Sequence, residues 1–347
     1  MRLPSADLET ILANTDGLWK EMQKARLLLT GCTGFLGHWL LEPLLHAIDR
    51  YGLETSVTLL TRNPDAFRDK APHLARHRAV VIHKGDVTSI DPEVPALAGI
   101  THVIHAAAPS QPGLLTQTAE TVVQGTWRVI RLAQRERVTR FLYISSGAVY
   151  GPQPPALTHI GENYRGAPDL TPTPQNVEGE SRRMAELLCR IAHAESGLPA
   201  TIVRCFEVIG PFLPDSHPVG RFIRDALDGK PVHVEGDGTP VHSYLYAADL
   251  AIWLWHLLLR GEAGRVYNVG SPEAVSLGEL AGMIGSLLNT PVSIAARPPL
   301  GVPPRRHVPD PRRAECELGL IRTTPLRDAV CKTVEWYRSS SRLSPAR

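Results

Sequence analysis

The chain has 347 residues, of which 43% are hydrophobic, so it can bury a large core as one big α/β domain or two modest ones. Its 37 basic and 35 acidic residues give a formal net charge of +2, which leaves no excess of positive charge to bind nucleic acid over a broad surface. The five cysteines are scattered and show no CxxC or Cys/His spacing, so we expect reduced thiols, no metal site and a cytoplasmic location.

The predicted elements begin with a helical extension ahead of the first strand. Residues 7–23 mix apolar and charged side chains at helical spacing, and the N-terminus lacks the apolar stretch and cleavage site of a secretory signal. Residues 26–30 then form a short apolar strand that ends in a glycine turn. We therefore expect an N-terminal helical extension over 1–24.

Further short apolar stretches alternate with helix-like stretches along the first half of the chain. As predicted strands they cover residues 56–61, 79–83, 101–106 and 140–145. Strands that alternate with helices predict right-handed crossovers, and therefore a doubly wound parallel sheet of the Rossmann type. We assign this α/β domain to residues 25–200.

A long connection and a helix follow the predicted strand at 140–145. Residues 151–174 are rich in Pro, Gly and Thr, which indicates an ordered loop over a site. Thr173 and Pro174 suit the N-cap and first turn of a helix that runs to about Ala194.

The rest of the chain predicts a second, smaller unit. After a strand at 201–206 the pattern breaks into shorter elements and proline-rich turns, which predicts a smaller α/β substrate lobe over 201–338. Some of its segments are expected to return to the first domain, and 339–347 to form a tail. The most apolar window, 250–259, is about half the roughly 20 residues that span a membrane, so we expect a buried helix and no membrane partner.

Three glycines, Gly31, Gly34 and Gly37, follow the first strand directly and open the next helix. Glycines in this context permit a tight turn and let backbone N–H groups approach a pyrophosphate at the positive end of the helix. The glycine turn therefore predicts a dinucleotide site, with a purely structural turn as the alternative. Thr33, Phe35 and Leu36 belong to this site by position.

Several motifs together resemble the extended short-chain dehydrogenase/reductases, specifically the nucleotide-sugar branch of the NAD-dependent epimerase/dehydratase family. They are TGCTGFLG at 30–37, SSGAVYG at 145–151, GDGT at 236–239, SYLYAADL at 243–250, YNVGS at 267–271 and ELG at 317–319. The resemblance covers nearly the whole chain. It implies an NAD(P)-dependent epimerase or oxidoreductase acting on a nucleotide sugar.

The same resemblance implies further cofactor contacts. The implied residues are Asp86 and Val87 at the adenine, and Ala106, Ala107 and Ala108, whose small side chains let the backbone pass the cofactor. The second strand ends in Thr61 and Arg62, where NAD binders usually carry an acid for the ribose hydroxyls. Arg62 suits a 2′-phosphate instead, which slightly favours NADP(H) over NAD(H). A solvated arginine is the alternative.

The chain departs from this family at its catalytic pair. Where the family has Tyr-x-x-x-Lys, this chain has Glu178 and Arg182, four residues apart and therefore able to touch on one helix face. Because glutamate ordinarily ionises near about pH 4.3, a glutamate here suits the removal of a proton better than its donation. Arginine stays charged and cannot relay a proton, so we expect Arg182 to orient Glu178 and the cofactor. Ser146 matches the catalytic hydroxyl of the family.

Two other functions remain open. The pair is also compatible with an exposed ion pair in a catalytically silent nucleotide-sugar-binding protein, or with non-redox lyase or isomerase chemistry on the same scaffold. Sugar-nucleotide dehydratases of the superfamily carry Asp-Glu where this chain has Gly147 and Ala148, which disfavours standard 4,6-dehydration.

Departures from the family also cluster at the expected substrate positions. Glu207 and Arg221 stand where asparagines are common, and His242 replaces an arginine that contacts the nucleotide phosphate. The predicted substrate contacts are Ser146, Tyr164, Glu207, Arg221, His242, Tyr244 and Arg312. Arginines present a fork of donors to phosphate, so Arg221, Arg312 and Arg313 are diphosphate candidates, with solvated surface arginines as the competing interpretation.

Members of the family often dimerise by pairing two long helices from each subunit into a four-helix bundle. Met184, Leu187, Leu188 and Ile191 supply the apolar positions for this pairing on the helix of the catalytic pair. The same positions are equally suited to face the protein's own sheet. The resemblance therefore predicts a homodimer.

Overall fold

A computed structural model describes residues 2–91, 93–108, 114–214 and 217–341. Its strands are β1 (Arg26–Thr30), β2 (Ser56–Thr61), β3 (Val80–Lys84), β4 (His102–His105), β5 (Arg140–Ser146), β6 (Ala200–Cys205), β7 (Val208–Ile209), β8 (Val232–Val234), β9 (Val241–Ser243), β10 (Leu245–Tyr246), β11 (Val266–Val269), β12 (Ala274–Ser276) and β13 (Val292–Ile294). Its α-helices are α1 (Ser5–Thr15), α2 (Phe35–Tyr51), α3 (Pro64–Lys70), α4 (Pro72–Ala75), α5 (Leu115–Ala119), α6 (Gly125–Arg135), α7 (Pro174–Ser196), α8 (Pro218–Leu227), α9 (Ala247–Arg260), α10 (Leu277–Leu288), α11 (Arg312–Leu318) and α12 (Leu326–Ser341).

Seven of these strands form one parallel sheet in the order β11-β6-β5-β4-β1-β2-β3. The order runs outward from β1 in both directions, which is the doubly wound arrangement of a Rossmann-type α/β fold. The predicted fold class is therefore confirmed. The strands predicted from the sequence agree with the observed ones to within about one residue at each end, an error normal for element boundaries.

Helices cover both faces of the sheet, because successive side chains of each strand point to opposite faces. Leu27 and Leu29 of β1 belong to the core that α2 and α9 cover, whereas Leu28 belongs to the core beneath α6 and α7. The apolar window at 250–259 lies within α9, whose side chains are almost all buried. No helix in the described part of the chain is both long and apolar enough to cross a membrane.

The N-terminal extension is packed into the protein. Helix α1 is followed by a 3₁₀ helix, Asp16–Met22, and both lie against α9. Asp7 is buried on α1, where its carboxylate lies 2.8 Å from Nζ of Lys332 and accepts a hydrogen bond of 2.6 Å from the hydroxyl of Tyr246. A buried carboxylate requires such partners, so the extension is fixed to the domain that carries the sheet.

The smaller lobe follows β6, and its described residues form three two-stranded pairings. Strands β10 and β7 pair in parallel, as do β13 and β8, whereas β12 and β9 pair antiparallel. Strand β11 pairs in parallel with β6 and so belongs to the main sheet. The predicted tail begins inside α12, which continues to Ser341, and its remaining residues, 342–347, lie outside the described ones.

Candidate active site

The glycine turn connects β1 to the N-terminus of α2. Gly31 has a φ of +72°, and a Cβ built on it would lie 2.4 Å from the carbonyl oxygen of Ala106 at the end of β4. A Cβ on Gly37 would lie 1.8 Å from the carbonyl oxygen of Cys32. A Cβ on Gly34 meets no atom of the described residues within 4 Å. The turn is thus closed on two sides and open at Gly34, beside free N–H groups of a helix N-terminus, which fits a pyrophosphate.

The other predicted cofactor residues surround this turn. Ala106, Ala107 and Ala108 follow β4, the neighbour of β1, while Thr33, Phe35 and Leu36 are half-buried in the turn and the first turn of α2. Thr61 and Arg62 lie at the end of β2, on the other side of β1. The parallel sheet thus brings the carboxyl ends of three strands to one edge, where doubly wound folds bind ligands.

Arg62 has an acidic neighbour at this edge. Its Nη1 lies 4.0 Å from Oδ2 of Asp86, and its side chain is 56% exposed. Oδ1 of Asp86 accepts hydrogen bonds from the backbone N–H and the hydroxyl of Thr88, which fixes the carboxylate. Val87 is buried where a Cβ on Gly125 would touch it. The exposed guanidinium can therefore reach a ligand at the end of β2, since the long ion pair holds it only weakly.

The turn that carries Ser146, the predicted catalytic hydroxyl, lies at the end of β5; we refer to it as the catalytic turn for that prediction. Ser146 is the last residue of β5, and Gly147–Tyr150 form a 3₁₀ helix after it. The Ser146 hydroxyl accepts a hydrogen bond of 3.1 Å from the N–H of Ala148, which uses a lone pair and leaves the hydroxyl proton for donation. A Cβ on Gly179 of α7 would lie 2.6 Å from the carbonyl oxygen of Ala148. Because α7 packs this closely, Glu178 lies beside the turn.

Glu178 and Arg182 form the ion pair that their spacing predicts. Nε of Arg182 donates to Oε1 of Glu178 at 3.1 Å, while its Nη1 donates to the carbonyl oxygen of Ile144 at 2.7 Å. The Arg182 side chain is 11% exposed and that of Glu178 is 43% exposed. Burial opposes the charge of Arg182, but the neighbouring Tyr143 and Glu178 hold its pKa above the usual value. The Glu178 carboxylate is therefore accessible, and it is held by an arginine that is buried and permanently charged.

A second ion pair, between Glu186 and Arg204, was not singled out from the sequence and lies beside the turn that carries Ser146. Glu186 accepts a fork of hydrogen bonds from Nε and Nη2 of Arg204 at 2.9 and 2.6 Å, and another of 2.6 Å from the hydroxyl of Ser145. The Arg204 guanidinium lies 4.6 Å from the ring centroid of Tyr150. The Tyr150 hydroxyl in turn donates to Oδ1 of Asn268 at 2.8 Å. This network joins β5, β6, α7 and β11, so we assign it a supporting role.

The predicted substrate residues Glu207, His242 and Tyr244 meet two histidines that the sequence interpretation missed. Nε2 of His217 lies 3.3 Å from Oε2 of Glu207, and the ring of His307 lies 6.4 Å from that of His242. Within the described residues, Nδ1 of His217 and Nδ1 of His242 are buried without a hydrogen-bond partner. We call these five residues the histidine pocket.

Charges within the histidine pocket are strongly coupled. Burial opposes ionisation of Glu207, but the hydrogen bond from His217 and the fields of His217, His242 and His307 lower its pKa to about 2. Burial lowers the pKa of His307, and burial followed by the nearby Glu207 raises that of Tyr244 above the normal range for a phenol. No group of His, Cys, Asp and Glu in the described ranges is arranged to hold a metal ion. The pocket therefore holds an ionised carboxylate beside three imidazoles and a phenol.

The predicted arginine contacts already have protein partners. Arg221 lies 3.0 Å from Glu235, and Nε of Arg312 donates to Asp310 at 2.9 Å. Arg313 donates to the carbonyl oxygen of Val266 at 2.7 Å, which makes it a structural contact of β11. Tyr164 packs with its ring centroid 6.1 Å from that of Tyr150, at the edge of a small apolar cluster. Their roles toward substrate stay predictions.

His217 and His307 were missed because each contacts the site from a different part of the chain. His217 precedes α8, and His307 follows a proline-rich turn that has no regular structure. Neither stands at a motif spacing, and a lone histidine in a sequence carries no positional signal. The pairing of Val241 with Arg306 is what brings the second segment beside β9.

Comparisons with known proteins show similarity along most of the chain. The model of the NAD dependent epimerase/dehydratase family matches residues 27–270. The dTDP-glucose 4,6-dehydratase of Streptomyces griseus is 30% identical over 90% of this chain and 93% of its own length. The UDP-glucuronic acid decarboxylase 1 of Danio rerio is 28% identical over 91% of this chain and 73% of its own length. DesIV, the dTDP-glucose 4,6-dehydratase of Streptomyces venezuelae solved with NAD and TYD bound, superposes with a TM-score of 0.79 at 26% identity, over 92% and 98% of the two chains.

Proposed function

The chain belongs to the NAD dependent epimerase/dehydratase family, and from that membership we propose an NAD(P)-dependent nucleotide-sugar epimerase or oxidoreductase in which Glu178 is the base. The observation that carries the proposal is the half-exposed Glu178 carboxylate, held at 3.1 Å by a buried arginine beside the Ser146 turn. The relatives named above act on nucleotide-linked sugars, which supports the substrate class.

The dinucleotide, when bound at the glycine turn, supplies the hydride acceptor and, for epimerisation, the hydride donor. Glu178 takes the hydroxyl proton from the carbon that loses the hydride, and gives the proton back when the hydride returns. Ser146 donates a hydrogen bond to the reacting oxygen. Arg182 holds the carboxylate in place by donating a hydrogen bond from Nε to Oε1 of Glu178.

The test compares Glu178→Gln with Glu180→Gln, a matched carboxylate two positions along the same helix whose partner is Arg183 at 3.4 Å. The probes are UDP-glucuronic acid, UDP-glucose and dTDP-glucose, with formation of reduced cofactor and of the epimer as readouts. We expect turnover to fall by about 10²–10⁴-fold in Glu178→Gln, while cofactor affinity stays within about threefold. Glu180→Gln should resemble the unmodified protein, and full activity of Glu178→Gln would overturn the assignment.

The same experiment separates the alternatives. A silent binding protein would bind the probes but exchange none of their hydrogens with solvent deuterium. A non-redox lyase or isomerase would keep turning over after the dinucleotide has been stripped. Either result would replace the proposed redox function.

For the cofactor we propose a preference for NADP(H) over NAD(H), although DesIV was solved with NAD. The support is Arg62 at the end of β2, 56% exposed and weakly tied to Asp86. Arginine pairs with a phosphate dianion through a fork of charge-assisted hydrogen bonds. Titration of both dinucleotides should show tighter NADP(H) binding, reduced about tenfold by Arg62→Ala, whereas tighter NAD(H) binding would reverse the preference.

We also propose a homodimer through α6 and α7. Met184 and Leu187 on α7 are 44% and 50% exposed, and Trp127 on α6 is 41% exposed beside them. These side chains do not face the protein's own sheet, and Trp127, Met184 and Leu188 line one groove. Leu187→Glu should convert a dimer to a monomer in analytical ultracentrifugation, because a charge cannot be buried unpaired at such a contact.

A further inference from the structure

The His307 imidazole lies directly against the catalytic turn. A Cβ built on Gly147 would lie 2.6 Å from Cε1 and 2.9 Å from Nε2 of His307, so the ring fills the space that a side chain at position 147 would take. The His307 ring also stacks on the ring of Phe206, with 4.6 Å between the two centroids. An ionisable ring nitrogen therefore lies next to the residue that follows Ser146 in sequence.

The backbone around His307 is fixed. Its N–H donates to the carbonyl oxygen of Val241 at 2.9 Å, and the N–H of Val241 donates to Arg305 at 2.8 Å, so the segment is paired with β9. The ring is half-buried and remains reachable from the pocket. A ring that is held in a defined position and is partly accessible is a candidate for proton transfer.

Two titratable groups of the histidine pocket act directly on His307: Glu207, after β6, and His242, on β9. The other two, His217 before α8 and Tyr244 before β10, lie around Glu207. Burial lowers the pKa of the ring, and this effect outweighs a hydrogen bond to the backbone of Gly147 and the charge of Glu207, which both raise it. The ring nitrogen that bonds to Gly147 acts as a donor, so the other nitrogen is the one that can accept a proton. The imidazole is therefore neutral at neutral pH and able to accept a proton, with a carboxylate nearby that stabilises the imidazolium it becomes.

We propose that His307 is a second proton-transfer residue, which removes the proton from a carbon next to a ketone held at Ser146. The inference rests on the proposed function, which supplies the ketone by hydride transfer. The C–H bond breaks and its proton goes to the imidazole. Its electron pair forms a C=C bond while the ketone π pair moves to oxygen, where Ser146 donates a hydrogen bond to the enolate. A proton returned from the imidazolium, exchanged with solvent, restores the ketone.

This activity differs from that assigned to Glu178. Glu178 reaches the turn from α7 and takes an O–H proton at the carbon that exchanges hydride, whereas His307 reaches it from the segment paired with β9. Arg182 cannot accept a proton, so among the described residues assigned to this turn Glu178 is otherwise the base. A second base gives the site carbon-acid chemistry, such as inversion or exchange beside the keto carbon.

The experiment uses substrates that are already ketones, so it does not depend on hydride transfer. The probes are a 4-keto-6-deoxyhexose linked to dTDP and its UDP-linked counterpart, incubated with the full chain in D₂O. We expect deuterium at the carbons next to the ketone by NMR, at a rate reduced at least about 100-fold in His307→Gln. Because the probes are already ketones, exchange can be observed even where hydride transfer fails, which makes failure of the two proposals distinguishable.

His46→Gln, a surface histidine on α2, is the matched control and should exchange at the unmodified rate. Absence of exchange with both probes, or an equal rate in His307→Gln, would overturn the proposal. Should His307→Gln fail to fold, the pH dependence of the exchange rate in Glu207→Gln tests the proposal instead. Removing that carboxylate lowers the His307 pKa, so the acid limb of the exchange rate must move to lower pH. An unchanged midpoint would show that His307 is not the base.

Discussion

The glycine turn and the histidine pocket are built in opposite ways. The turn is defined by backbone: Gly31 and Gly37 approach carbonyl oxygens of the adjacent strand or of the turn itself, where no side chain fits. The pocket is defined by side chains, with Glu207, His217 and His307 arriving from three separate segments. A backbone-built site tolerates little substitution because the fold depends on it. A side-chain-built site can change its chemistry while the fold remains.

The ion pair of Glu178 and Arg182, to which we assign catalysis by proposal, lies between these extremes. Glu178 and Arg182 are side chains, yet one turn of α7 fixes their contact, and the buried arginine is anchored to the backbone of β5. Substitutions in the glycine turn are therefore expected to have large effects on stability. Substitutions at sites built from side chains are expected to change ligand affinity or the response to pH.

The largest effect is expected from Gly37→Ala. Its methyl group would lie 1.8 Å from the carbonyl oxygen of Cys32, so backbone must move, and we expect a loss of about 3 kcal/mol or more in the free energy of unfolding. Gly34→Ala is the matched control, since its methyl meets no described atom within 4 Å. Chemical denaturation should find Gly34→Ala within about 0.5 kcal/mol of the unmodified protein.

Gly34→Ala should nevertheless weaken dinucleotide binding at least about tenfold, because the methyl projects where backbone must approach a pyrophosphate. Isothermal titration of NAD(H) and NADP(H) measures this. Equal stability losses in the two variants, or normal binding by Gly34→Ala, would contradict a turn that is closed at Gly37 and open at Gly34.

An intermediate effect is expected at His105, a buried side chain behind the turn. Its ring contacts the hydroxyls of Thr30 at 2.6 Å and Thr126 at 3.0 Å, and burial lowers its pKa to about 3. The His105 imidazole is protonated near pH 6.5 in the unfolded chain but stays neutral at that pH in the folded one. Its contribution to the free energy of unfolding is therefore complete above pH 6.5 and is lost as the pH falls toward 3. Between pH 7 and pH 5 this residue should account for a fall of about 2 kcal/mol in the free energy of unfolding.

Urea unfolding of His105→Asn at the two pH values tests this linkage. The fall in unfolding free energy from pH 7 to pH 5 should be smaller in the variant, while other buried histidines contribute equally to both proteins. A fall of the same size would mean that His105 is protonated in the folded state.

The smallest effect is expected from His242→Arg in the histidine pocket. An arginine there would offer a forked donor to a diphosphate, and we expect UDP and dTDP to bind about tenfold more tightly, roughly 1.4 kcal/mol. The unfolding free energy should stay within about 1 kcal/mol, since His242 is a half-buried pocket residue. Weaker binding in the variant would indicate that the pocket does not face the diphosphate.

The sequence by itself determined the parallel sheet, the glycine turn and the contact between Glu178 and Arg182. Each of these depends on local periodicity or on neighbours within one or two turns of chain. Apolar strands alternating with helices leave few topologies, because crossovers are right-handed and both sheet faces must be covered. A four-residue spacing on a helix likewise fixes which side chains meet.

Tertiary structure alone decided that His307 fills the space over Gly147 and that Glu207 lies among histidines. It also decided that Arg221 and Arg312, candidates for phosphate contact, are paired with Glu235 and Asp310. These contacts join residues whose separation along the chain carries no period, and they form only when the loop segments dock against β9 and the end of β6. Electrostatic character then follows from the resulting burial and neighbours, which residue identity alone does not specify.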